Sequence, residues 1–188
     1  MKRKSFIKST AFGIGAFPFT TLFISCKSDA KEKKAESSKL AEPTTDPKIV
    51  ENNQGLKLNV RGDNQTIKLT GEDTNGQFAL IEQNNEPGVG IPRHVHENED
   101  EVFQVLTGKV EVTIGDQITT LNAGDIIFCP KRIPHSWKVI GEAKARCMLS
   151  IFPAGLEEMF KEVAELPPGS PDPEKIREIR RKYKIKFV

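Results

Sequence analysis

Histidine, cysteine, tryptophan and tyrosine are scarce in this 188-residue chain: three, three, one and one. No two cysteines stand in a CxxC pair, so the thiolate metal sites built on that spacing are absent. No apolar stretch reaches the ~20 residues of a membrane-spanning helix. The longest, AFGIGAFPFTTLFIS (11–25), is short and broken by Gly and Pro. Charge of one sign is also lacking. The net charge of +2 comes from Lys2, Arg3, Lys4 and Lys8, and without those four the chain has 24 basic against 26 acidic residues. That balance gives no global signal for nucleic acid. The basic run REIRRKYKIK near the C-terminus has no groove-entry motif and reads as a solvated face. No internal repeat is evident.

The N-terminus has the arrangement of an export signal: a basic start, a short apolar region, and Cys26 after LFIS. This resembles a bacterial lipoprotein signal in which the cysteine becomes the lipidated first residue, with Phe23 where Leu is usual. RKSFIK (3–8) also resembles a twin-arginine signal with Lys for the second Arg. The expectation is an export signal over 1–25, lipidation at Cys26, and a lipidated, disordered tether over 26–50. KSDAKEKKAESSKLAEPTTDP (27–47) holds almost no large apolar residue and cannot bury enough surface to order itself. The chain is then an exported, membrane-anchored lipoprotein of a bacterial envelope, on the periplasmic or surface side.

From Leu56 onward the pattern changes. Short alternating runs (LKLNV, TIKL, FALIEQ, EVFQVL, KVEVTIG, QITTL, IIFC, SWKVI, RCMLSIF) are separated by RGDN, TGEDTNG, NNEPGVG, NAGD, PKRIPH and GEAK. Many short strands between Gly/Asn/Asp turns predict an antiparallel sandwich or barrel over 51–153. Two helical patterns follow over 154–188. In the first, Leu156, Met159, Phe160 and Val163 share a face. In the second, Asp172 is an N-cap with Pro173 at the first helical position, and Ile176, Ile179 and Tyr183 share a face. Cys129 and Cys147 fall in strand-like runs and read as buried thiols, with a disulfide between them left open.

RHVHENEDEVFQVLTGKVEVTIG (93–115) concentrates the chemistry. Alternation puts His94 and His96 on one face of a strand. Glu101 shares parity with Phe103 and Val105. All three histidines fall into one pattern: Gly88, five residues, His94-x-His96, four residues, Glu101, six residues, Gly108, then Gly124, five residues, Pro130 and His135. This spacing resembles the two motifs of the cupin superfamily. Arg132 and Val139 stand where the second motif has Gly and Asn, and neither position is a ligand in the family. Over about 56–153, with SIFPAGLEEMFKEV beyond, the chain resembles small single-domain quercetin dioxygenase-like cupins.

The resemblance implies an all-β double-stranded β-helix (jelly-roll) with two short C-terminal helices. It also implies one divalent transition metal (Fe, Mn, Ni or Cu) on His94, His96, Glu101 and His135. Imidazoles with one carboxylate suit such an ion, and a buried His–carboxylate cluster without one is costly. Glu99 is an alternative ligand, and Glu97 and Asp100 are expected in solvent or behind the ligands. Phe103, Val112 and Trp137 are candidate pocket residues within an inward set that reads as apolar and disfavours a sugar. The function implied is dioxygenation of a small phenolic or enolic compound, with Glu101 as ligand and base. A non-catalytic metal- or ligand-binding lipoprotein and a cupin-type isomerase are the alternatives. The expected partners are a small-molecule substrate and, through the lipid anchor, a membrane, with no nucleic acid and room for a homodimer.

Overall fold

A computed structural model describes residues 45–167, 169 and 172–188. The export signal, Cys26 and most of the tether lie outside the described residues. Among the described residues ten strands precede the helices: β1 (Leu56–Val60), β2 (Asp63–Leu69), β3 (Ala79–Asn85), β4 (Gly90–His96), β5 (Asp100–Thr107), β6 (Lys109–Ile114), β7 (Gln117–Asn122), β8 (Ile126–Cys129), β9 (His135–Ile140) and β10 (Ala145–Phe152). After α1 (Leu156–Ala164) and α2 (Pro173–Lys182) comes an eleventh strand, β11 (Ile185–Phe187). Two antiparallel sheets form, in the orders β1-β2-β3-β10-β5-β8 and β11-β4-β9-β6-β7. This is the expected jelly-roll with two short helices.

The core follows strand parity. Along β5, Glu101, Phe103 and Val105 are buried and the alternate residues less so. Ile81, Val105, Val110, Val139, Leu149 and Ile151 pack from both sheets into one apolar cluster. Two glycines permit the geometry. At Gly90 a Cβ would lie 2.2 Å from the Trp137 carbonyl oxygen and 2.7 Å from Lys138 Cα, so only Gly lets β4 approach β9 this closely. At Gly108, where the chain crosses from one sheet to the other, φ is +81° and a Cβ would lie 2.5 Å from the Lys144 carbonyl oxygen.

Cys129 and Cys147 are free and buried. They lie on the two strands flanking β5, opposite Glu101 and Val105 respectively. Two strand spacings and four residues separate them, roughly 16 Å, far beyond the reach of a disulfide.

α1 and α2 begin where their sequence marks them. Asp172 Oδ1 accepts the Glu174 amide at 2.9 Å, with Pro173 at the first turn. Buried Glu157 accepts the amides of Gly71 (2.8 Å) and Gly155 (2.6 Å), tying α1 to the barrel. Val60, Val163 and Ile179 form a second small core between β1 and the helices.

Two local expectations change. RGDN is not wholly a turn: Arg61 (φ 59°) and Gly62 (φ 101°) alone make the bend, Val60 pairs with Asp63, and β2 begins at Asp63. The end of the chain is not purely helical either. Lys184 turns the backbone at φ 54°, and Ile185–Phe187 pair with His96–His94 of β4. Part of the basic run thus becomes a sheet edge rather than a helix face.

Candidate metal centre

His94 and His96 project from β4 on its buried face. His135 opens β9 and pairs with His94 across the sheet. Glu101 comes from β5 in the other sheet, so four side chains converge from three strands. One nitrogen from each histidine lies within 4.8 Å of the others. Glu101 Oε2 is 3.2 Å from His135 Nε2, and Oε1 is 3.7 Å from His96 Nε2. All four residues are buried.

Backbone carbonyls orient two of the rings. His94 Nδ1 meets the Pro92 carbonyl at 2.9 Å and His135 Nδ1 the Ile133 carbonyl at 3.1 Å. A proton on Nδ1 with a bare Nε2 is the tautomer a metal requires; His135 reaches it by giving up the Nε2 proton that it donates to Glu101 Oε2. His96 has neither nitrogen hydrogen-bonded. Its Nδ1 lies 3.6 Å from Glu99 Oε2, itself buried and without a partner. An orphaned imidazole nitrogen at the convergence point is the donor set of an ion site, so these residues fit a divalent metal. Glu99 therefore sits behind His96, on the side away from Glu101. Glu97 pairs with Lys186 at the surface, and Asp100 accepts the Lys131 amide at 2.8 Å.

Electrostatics follow the packing. Burial, aided by the neighbouring imidazoles, pulls His94 down to about 4. Burial pushes Glu101 up, but the His135 hydrogen bond and the imidazole charges outweigh it and hold the carboxyl at about 2. For His135, burial is likewise outweighed, here by Glu101, and its pKa is raised. Arg132 keeps the turn before His135 without the usual Gly. It adopts φ 67°, and its amide donates to the His96 carbonyl at 2.8 Å.

His94, His96 and Glu101 border a cavity of about 420 Å³, with His135 set behind them against Glu101. Trp137 lines it, whereas Phe103 and Val112 are core residues that do not; Phe103 stacks on Trp137 at 5.7 Å. The expectation of an apolar wall needs correction. Ile91, Leu149, Met159, Phe160, Val163 and Ile185 are apolar, but Asp63, Gln65 and Gln83 also line the cavity, as do Arg61 and Arg180. Phe187 of β11 closes one side, its ring 5.5 Å from His94 and 3.9 Å from the Arg180 guanidinium carbon. Sequence reasoning missed both groups. Their only traces in the sequence are weak: polar residues at i and i+2 straight after a two-residue turn, and an alternating IKF after a helix.

A jelly-roll barrel with three histidines on adjacent strands and a glutamate opposite has the arrangement of a cupin-type candidate metal centre. The comparisons agree. Residues 82–152 match the cupin domain model, in agreement with the fold and the motif spacing. Quercetin 2,3-dioxygenase of Bacillus subtilis (strain 168) is 29% identical over 133 residues, covering 68% of this chain and 39% of that protein. The chain thus spans about two fifths of that relative's length. Among solved structures, KdgF from Halomonas sp. has a TM-score of 0.53 at 18% identity, covering 60% of this chain and 99% of that one. Bacillus subtilis oxalate decarboxylase, described with Mn(II) centres, has a TM-score of 0.50 at 24% identity, covering 62% and 33%. These two show the fold.

Proposed function

We propose that this chain is a metal-dependent dioxygenase of a small phenolic or enolic compound. The observation that carries the reading is the convergence of three buried imidazoles and Glu101, with His94, His96 and Glu101 bordering a cavity large enough for such a molecule. The likeness to a quercetin dioxygenase supports the reaction class. His94, His96, His135 and Glu101 hold one divalent ion, Fe, Mn, Ni or Cu. Such an ion, when bound, supplies Lewis-acid activation of an enolic oxygen and a site for dioxygen.

This chain's residues do the rest. Glu101 takes the proton of the substrate's enolic hydroxyl, whose acidity the bound ion would raise. Trp137 and Phe187 offer flat surfaces to a planar ring, and Ile91, Leu149 and Ile185 keep water from the reacting atoms. We also infer export and acylation at Cys26, on the junction LFISC. Intact mass of membrane-extracted protein beginning at Cys26 with added lipid is the expected result, and an unacylated mature start elsewhere removes the anchor.

Glu101→Gln tests the chemistry. The amide still offers an oxygen to the ion but accepts no proton. Metal content, by elemental analysis of the purified full chain, should fall modestly, while oxygen uptake on a flavonol falls about 10²–10⁴-fold. Activity that merely tracks metal content leaves Glu101 as a ligand only. A metal-loaded chain that takes up no oxygen with any flavonol or enol favours the non-catalytic binding protein. Turnover of polyhydroxy aldehydes without oxygen uptake favours the isomerase, a reading the polar residues in the cavity keep open.

A further inference from the structure

The cavity has a second polar cluster that the metal does not use. Asp63 and Gln65 on β2 and Gln83 and Asn85 on β3 are all buried; Gln65 and Gln83 are 3% and 2% exposed. Asp63 Oδ2 accepts the side-chain amides of Gln65 (2.7 Å) and Gln83 (2.8 Å), and Oδ1 accepts that of Asn85 (2.6 Å). Asn85 in turn accepts the Asn64 amide at 2.7 Å, so its oxygen is occupied. The oxygens of Gln65 and Gln83 are not. Both are buried without a hydrogen-bond partner, in two side chains that line the cavity. An unmade bond to a buried carbonyl costs about 1–3 kcal/mol, so two such oxygens side by side point to a ligand.

The carboxylate fixes which way each amide faces. With their NH2 groups turned to Asp63, each glutamine keeps one further N–H and a carbonyl oxygen that has no partner at all. A donor amide bound to a carboxylate also becomes a better acceptor at its oxygen. Gln65 and Gln83 are direct cross-strand partners, so the two acceptors are neighbours. Arg61 and Arg180 line the same cavity, which disfavours a cationic donor.

We propose that Gln65 and Gln83 form a recognition point for two adjacent hydroxyl groups of the substrate, an ortho-dihydroxyphenyl or similar vicinal pair. Asp63 and Asn85 position the two amides and do not touch the ligand. The inference rests on the phenolic reading above and specifies it. Gln83 lies opposite Cys147 on β10, four residues along from Ile151, which faces Glu101. With two strand spacings between, the two backbones are roughly 16 Å apart. A ligand reaching both ends of the cavity is therefore elongated, with more than one ring.

The test is anaerobic equilibrium binding of two flavonols to the metal-loaded full chain: 3-hydroxyflavone, and the same scaffold with adjacent hydroxyls on its pendant ring. The dihydroxy compound should bind at least tenfold more tightly. Gln65→Leu and Gln83→Leu should each bring that ratio toward one while leaving 3-hydroxyflavone within about twofold. Gln83→Met serves if the leucine variants fold poorly, and the wild-type ratio needs no variant. Equal, measurable binding of both flavonols by the wild type overturns the recognition point and leaves the phenolic reading standing. A wild-type preference that survives loss of either glutamine assigns it elsewhere and also overturns the proposal. Binding of neither flavonol overturns the phenolic reading and this inference with it.

Discussion

The cavity has two polar regions, and each is built around a buried carboxylate. Around Glu101, imidazoles turn nitrogens inward while backbone carbonyls hold two of them from behind, so unshared electron pairs converge. Around Asp63, three amides turn inward and donate to the carboxylate, so the charge is satisfied and two glutamine oxygens are left buried without a partner. The first arrangement can hold a cation. The second has already satisfied its anion and lacks only hydrogen-bond donors. The same residue type, a buried acid, thus serves opposite purposes according to whether its neighbours can coordinate an ion or only donate protons.

The largest expected effect separates the two regions outright. His135→Ala should remove most of the bound metal, measured by elemental analysis, and with it the activity. It should leave the Asp63 cluster in place, so the variant still unfolds cooperatively in urea. Loss of the whole fold would show the regions to be one structural unit.

Asp63→Leu makes the converse break. It strands three amide donors, and the expected loss of stability is about 3 kcal/mol by urea denaturation. Metal per folded chain should not change. If metal falls in step with stability, the two regions are coupled.

Two thiols report on the regions separately. Cys129 lies opposite Glu101 and Cys147 opposite Gln83. Burial, and then the nearby Glu101 or Asp63 carboxylate, pushes each thiol up to about 12. The folded thiols keep their protons where unfolded ones, with a pKa near 9.0, lose them. The unfolded state therefore binds fewer protons above that pH, and the pair's contribution to stability falls as pH rises from about 9 toward 12. At about pH 8 neither should react with iodoacetamide in the holo form. Chelation should raise labelling of Cys129 before that of Cys147, read by mass spectrometry. Equal labelling would erase the distinction.

Smaller effects should follow at the margins. Phe187→Ala removes the ring beside His94 and under Arg180, worth about 1 kcal/mol of stability. Arg132→Gly relieves a left-handed residue but loosens the unfolded chain, so the net change should stay within about 1 kcal/mol.

The metal region was legible in the sequence because its ligands are written as spacing. His94 and His96 share parity on one strand, and Gly88, Gly108 and Gly124 take positive φ at the motif positions. The helix starts were legible for a similar reason, since Asp172-Pro173 carries its own local signal. The amide region was not. In DNQTIKL the polar residues alternate as a solvent face would, and strand periodicity separates two faces without saying which is inside. Reading RGDN as a turn hid Asp63 altogether. The same ambiguity put Phe103 and Val112 beside the cavity, when their parity meant only that they were buried. β11 escaped notice because three residues carry too little pattern to outweigh the helix before them.

β11 also sets an order of events during synthesis. Its partner β4 carries two of the histidines and is made about 90 residues earlier, a separation that makes this pairing among the slowest contacts to form. Until Phe187 leaves the ribosome, the strand bearing His94 and His96 is a bare sheet edge, able to pair with another chain. A chain cut short before Ile185 would then be exposed to aggregation as well as to loss of activity. A nascent chain that takes up metal early would do so in a half-open cleft, before Phe187 and Arg180 can cover it.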